Sequence, residues 1–116
     1  MTRLLVCGGR DFKDKETLKR AMKKLHPTTV ITGAARGADT LADEIAESEG
    51  IPRIIFPANW SGEGKAAGHI RNARMLSEGK PDYTLACPGG SGTKSMVDKS
   101  LKAGTPVIFL KDEEHD

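Results

Sequence analysis

The chain has 116 residues, of which 37% are hydrophobic and 29% charged, and a formal net charge of +2. This length suits one domain that buries its own core without disulfides or a structural metal, while an aromatic content of 4% argues against a stacking platform for single-stranded nucleic acid. Four of the 16 acidic residues crowd into the tail 112–116, so residues 1–111 hold all 18 basic residues against the other 12 acids, a mildly basic body that suits a small acidic ligand.

Met1-Thr2-Arg3 runs straight into a strand-like segment, and no apolar run approaches the length of a membrane span. Two cysteines far apart make no secreted disulfide framework, so the cytosol is the expected compartment. Leu4–Cys7 predicts a first buried strand. Lys15–Leu25 predicts a helix with Leu18, Met22 and Leu25 on one face, ended by His26-Pro27. Thr29–Thr32 is a second strand. Ala38–Glu49 is a second helix with Leu41, Ala42, Ile45 and Ala46 inward and Gly50 as its stop. Arg53–Phe56 is a third strand. Lys65–Ser77 is a third helix, with Ile70, Ala73 and Leu76 as its inward face. Tyr83–Cys87 is a fourth strand. Ser91–Lys102 is a fourth helix with Val97 and Leu101 inward, and Val107–Leu110 closes the pattern as a fifth strand. Strands alternating with helices of this length imply right-handed crossovers and a parallel sheet covered on both faces. The expected fold is an α/β Rossmann-like three-layer sandwich with strand order 3-2-1-4-5, one domain over residues 1–111, and an acidic tail at 112–116.

In such a sheet the loops leaving the strands converge at one edge, and ligands bind there. These loops are Gly8-Gly9-Arg10-Asp11-Phe12, Gly33-Ala34-Ala35-Arg36-Gly37-Ala38-Asp39, Pro57 to Lys65, and Pro88-Gly89-Gly90-Ser91-Gly92-Thr93. Each admits a plainer reading in which the glycines only make tight turns. In the functional reading, the fourth loop leaves backbone amides uncovered at a helix N-terminus, where they attract phosphate or carboxylate. Arg36 can then pair a phosphate bidentately, with the amides of Gly37 and Ala38 facing it. Established nucleotide fingerprints are not matched: Gly90-Ser91-Gly92 lacks a third glycine, and Lys94-Ser95 lacks the P-loop spacing. His26, His69 and His115 have no metal-ligand spacing, and no motif requires a metal or other cofactor.

The third helix is strongly polar, with Lys65, His69, Arg71, Asn72 and Arg74. Gly68 lies between Lys65 and His69 and allows close approach of a ligand or loop. Trp60, the sole tryptophan, either anchors a lid on the domain edge or stacks on a base. Cys7 and Cys87 end neighbouring strands and read as small buried thiols.

Four ordered motifs, Cys7 to Asp11, Gly33 to Asp39, Gly64 to Gly68 with Ile70-Arg71-Asn72, and Pro88 to Thr93, resemble the YspA-like type of the SLOG superfamily, found in bacteria and bacteriophages. The resemblance implies a Rossmann-like sheet and a nucleotide-derived ligand. More distantly, Arg71-Asn72-Ala73-Arg74-Met75 with Pro88 to Thr93 is similar to the cytokinin-activating phosphoribohydrolase family, long called lysine decarboxylase-like. That likeness puts Arg71 at a catalytic-arginine position, but it puts Met96 where the family carries a glutamate. A methionine can neither stabilise an oxocarbenium-like centre nor move a proton. Asp11 or Asp39 would then supply a carboxylate, and Asp39 joins Arg71 as the catalytic candidate.

The leading expectation is therefore binding of a nucleotide-like small molecule by Gly8, Gly9, Arg10, Asp11, Gly33, Arg36, Gly37, Ala38, Trp60, Lys65, Gly68, Arg71, Asn72, Gly89, Gly90, Ser91, Gly92 and Thr93. The alternative is N-glycosidic cleavage of a nucleoside monophosphate. No membrane partner is expected, and the lack of a basic arm argues against nucleic acid. The resemblance leaves a homo-oligomer, paired through helices beside the site, open.

Overall fold

The structure, a computed structural model, describes residues 1–111; the acidic tail 112–116 lies outside the described residues. Strands β1 (Arg3–Cys7), β2 (Thr29–Thr32), β3 (Arg53–Ile55), β4 (Tyr83–Ala86) and β5 (Val107–Phe109) pair in parallel in the order β3-β2-β1-β4-β5. Helices α1 (Lys15–Leu25) and α2 (Ala38–Ser48) pack together on one side of the sheet. Helices α4 (Ala67–Ser77) and α5 (Ser91–Lys102) pack together on the other, making a Rossmann-like three-layer sandwich.

The two-residue period of a strand sorts the core. Leu4, Val6, Val30, Leu85 and Cys87 meet Leu18, Met22, Ala42 and Ile45 of α1 and α2. Leu5, Cys7, Ile31 and Ala86 meet Met75 of α4 and Met96 of α5. Both faces of β1 are therefore fully buried, which is why its sequence is a continuous apolar run. The same alternation sends Cys7 and Cys87 into opposite core layers, so adjacency of their strands does not face one thiol to the other.

Three sequence expectations are corrected. The predicted third helix starts later, at Ala67: its first two residues lie in a 3-10 turn (Gly64–Ala66), and a short α3 (Trp60–Glu63) forms in the segment read as a loop. Asn59 caps α3 by accepting the Gly62 amide at 3.1 Å, and Gly64, at φ +59°, ends it. The inward face of α4 is Ala67, Asn72 and Met75, with Leu76 packed against the core as expected, whereas Ile70 is 38% exposed and Ala73 is exposed. This face ends at a polar cleft, so apolar periodicity is a poor guide to it. In α5 the buried residues are Met96 and Ser100, while Leu101 is 58% exposed. The Ser100 hydroxyl is paired with Thr84 Oγ1 at 3.0 Å and with the Met96 carbonyl at 2.8 Å, which makes its burial tolerable.

Candidate functional site

The loops after β1, β2 and β4 are locked together through their backbones. The Gly9 amide donates to the Pro88 carbonyl (2.9 Å), and the Ala38 amide donates to the Gly9 carbonyl (3.2 Å). A Cβ on Gly8 would stand 2.6 Å from the Cβ atoms of Ala38 and Cys87, and one on Gly89 would stand 2.6 Å from the Gly9 nitrogen. Gly37 sits at φ +83° against the carbonyls of Gly9 and Arg10, where an L-residue would be both strained and obstructed. These glycines serve close loop packing. The Ala38 amide that the sequence offered to a phosphate is engaged within the fold.

Above this platform lies a cleft of about 580 Å³ at the C-terminal edge of the sheet. It gathers Gly8, Gly9, Arg10, Asp39, Trp60, Lys65, Gly68, Arg71, Asn72, Gly90, Ser91, Gly92 and Thr93 from the sequence reading. Asp11 and Gly89 line an adjoining recess instead. Gly33, Arg36, Gly37 and Ala38 line neither; Arg36 is exposed, and Gly33 lies under the Arg71 guanidinium.

One wall is the start of α5. Its N-cap is Gly90, and no side chain caps this end among the described residues. The first intrahelical bond runs from the Lys94 amide to the Gly90 carbonyl (3.0 Å), so the Ser91, Gly92 and Thr93 amides precede the helical ladder. A Cβ on Gly90 or Gly92 would meet nothing within 4 Å. These two glycines border open space, in contrast to Gly8, Gly37 and Gly89.

The opposite wall holds Arg71 and Asp39. Arg71 donates through Nη1 to the Gly33 carbonyl and, at 3.5 Å, to the Phe56 carbonyl, and through Nε to Asn72 Oδ1 at 2.9 Å. It thereby ties α4 to the ends of β2 and β3. Ala34 takes a left-handed conformation (φ +61°), an uncommon state for a residue with a Cβ, and the following Ala35 amide meets Asp39 Oδ2 at 3.1 Å. Asp39 is 7% exposed. Burial raises its pKa above the ordinary 3.8, while the Ala35 amide, the Arg71 charge and the Gly33 amide pull it back down. Burial, and secondarily the Asp39 charge, push the Cys7 and Cys87 thiols up to about 12. Neither is therefore a thiolate nucleophile near neutral pH.

Cys7, Met75 and Met96 make the lining partly apolar, and Met96 is 1% exposed. Trp60 is 55% exposed, with its ring 3.5 Å from where a Cβ on Gly68 would stand. The expected binding residues left out Ser95 and His69, yet both line the cleft. His69 Nδ1 lies 3.2 Å from Ser95 Oγ, which also accepts from Lys99 Nζ at 3.3 Å, linking α4 to α5. The available signal was spacing: Ser95 is one helical turn beyond Ser91, and His69 one turn beyond Lys65.

A family model described as the YspA, cpYpsA-related SLOG family matches residues 2–62, the stretch that carries β1 to β3 and the first two loops. The chain is also 37% identical over 125 residues to the Gene 61 protein of Mycobacterium phage D29, covering 97% of this chain and 99% of that protein. No solved structure matches it. With its four ordered loop motifs and this match, the chain belongs to the YspA, cpYpsA-related SLOG family.

Proposed function

We propose that the chain binds a nucleotide or nucleotide-derived small molecule in the cleft at the C-terminal edge of the sheet. The observation that carries this reading is Gly90 with Gly92. Gly92, in the first turn of α5, costs stability relative to alanine although it has neither a left-handed φ nor a neighbour that would exclude a methyl group, and Gly90 at the N-cap leaves open space where a side chain would stand. The space they leave adjoins amides that an anionic group can fill. Arg10 and Lys65 supply charge, and Trp60 supplies a face for a base. Family membership is compatible with this ligand class. The test is thermal unfolding with a panel of nucleoside monophosphates, nucleotide sugars and cyclic dinucleotides. A ligand at about 100 times its Kd adds roughly 2.7 kcal/mol. Absence of a shift with every compound defeats the reading.

A second reading, cleavage of the N-glycosidic bond of a nucleoside monophosphate, draws on one observation: a buried carboxyl, Asp39, stands in the cleft within reach of the Arg71 charge. A carboxyl whose pKa burial has raised can deliver a proton to a leaving base. Free base released from AMP, and lost in Asp39→Asn, supports it. Intact AMP after prolonged incubation with concentrated protein removes it.

A further inference from the structure

The cleft does not end at Gly90. A second recess of about 500 Å³ lies between the β1–α1 loop and Pro88-Gly89, and it shares Gly9, Arg10 and Gly90 with the first. Extending the nucleotide-binding reading, on which this rests, we infer that the ligand has two ends: a dinucleotide-sized molecule bridged by a diphosphate that crosses over Gly90.

Three features support this. First, the border that the two spaces share is built largely of glycine, Gly9 and Gly90. The Gly9 amide is bonded to the Pro88 carbonyl, which closes the ridge with backbone, and Gly90 adds no side chain above it. Gly90, at φ −97° and ψ −143°, holds a backbone conformation outside the ordinary β and α ranges, so its glycine serves the turn as well as the open border. Second, charge sits where a bridging anion would lie. Arg10 lines both spaces and has no acidic partner among the described residues, and the uncapped start of α5 faces the same junction. Third, the two spaces repeat one chemistry. Trp60 and Asp39 line the first; Phe12 and Asp11 line the second. An aromatic ring and a carboxylate, the groups that a nucleoside's base and sugar hydroxyl engage, border each space, with Phe12 half-buried and packed on the core layer beneath α1 and α2. Asp14 also borders the second recess, but its carboxylate is taken by the Thr17 amide (3.2 Å) and hydroxyl (2.6 Å) as the α1 cap. Lys13 is exposed there and adds a positive charge. Both spaces flank β1 and β4, where the strand order reverses and each half of a doubly wound sheet can take one nucleotide.

The experiment is calorimetric titration of the full chain with AMP, ADP and diadenosine 5′,5′-diphosphate. The dinucleotide differs from ADP by the second nucleoside alone. It is expected to bind at least about tenfold tighter than ADP, a gain of roughly 1.4 kcal/mol. The double variant Asp11→Ala/Lys13→Glu, on exposed positions of the second recess, should abolish this gain and bring the dinucleotide down to the affinity of ADP. Gly90→Ala should weaken the dinucleotide more than AMP. If AMP and ADP bind but the dinucleotide binds no tighter, or if its gain survives the double variant, the two-ended ligand is refuted and the nucleotide reading stands. If none of the three binds, the two-ended ligand is refuted, and the nucleotide reading falls with it when the wider panel also gives no shift.

Discussion

Gly92→Ala separates what the fold needs from what a ligand needs. Residue 92 lies in the first turn of α5, and a methyl there meets nothing within 4 Å. Alanine replaces glycine in a helix with a gain of about 0.5–1 kcal/mol, here at the low end because the position is near the terminus. For a domain of this size that raises Tm by roughly 2–5 °C. The liganded protein should respond in the opposite direction. A hydrogen bond from an amide to a charged oxygen is worth about 1.5–3 kcal/mol. A methyl that displaces the anion from one such amide therefore weakens binding roughly 10- to 100-fold. At a nucleotide concentration about 100 times the wild-type Kd, the stabilisation falls from roughly 2.7 kcal/mol to between about 0.4 and 1.4 kcal/mol. Differential scanning fluorimetry with and without a nucleotide that stabilises the wild type reads both effects. A variant that keeps the full nucleotide shift refutes the placement of the anion at α5. A variant that melts lower without ligand shows that the fold itself requires this glycine.

Gly37→Ala is the contrasting control: with φ +83° and the Gly9 and Arg10 carbonyls in the way, it should cost more than about 2 kcal/mol in chemical denaturation. Arg71→Lys keeps the charge but cannot hold two carbonyls and the Asn72 side chain in one plane, so a loss of about 1–3 kcal/mol is expected in urea unfolding. Asp39 binds its proton more tightly folded than unfolded. Its contribution is therefore complete below the ordinary 3.8 and is lost as pH rises through the higher folded value. The stability of the wild type minus that of Asp39→Asn should accordingly fall as pH rises above 3.8, and a difference that is flat or rises with pH contradicts the burial of this carboxyl.

The strand order was legible because three signals agree in this chain: unbroken apolar runs such as Leu4-Leu5-Val6, helices of eleven or twelve residues between them, and glycines concentrated in one set of loops. The helix faces bordering the cleft were less legible. In α4 and α5 the inward positions include Asn72 and Ser100, while Ile70 and Leu101 point outward. A rule that places apolar residues inside fails where the inside is a polar site or where a buried hydroxyl has a partner in Thr84. The separation of α3 from α4 was also hidden. It depends on the Asn59 cap and on the conformation of Gly64, and a sequence shows neither until one knows where the helix should stop. Arg36 shows the limit of motif reading. It lies between two glycines of the loop after β2 and yet projects away from the cleft, because Gly37 and Ala38 are held down against the first loop.

Met96 decides how the remaining chemistry should be read. It is buried beside the cleft with Met75 and Cys7, so a carboxylate in its place would lose solvent. Acid chemistry in the cleft therefore falls to Asp39, on the opposite wall. Its Oδ2 is held by the Ala35 amide, and its neighbour Arg71 is committed to the carbonyls of Gly33 and Phe56. A carboxyl so fixed, with its charge opposed by burial, is well placed to accept a hydrogen bond from a ligand hydroxyl. It is poorly placed to stabilise a developing positive centre, which needs a full and solvent-free negative charge at the reacting carbon. The burial that suits Asp39 to the proposed hydroxyl contact thus weakens it as the carboxylate of a hydrolase, and the proposed recognition without cleavage is the reading that asks least of the side chains present.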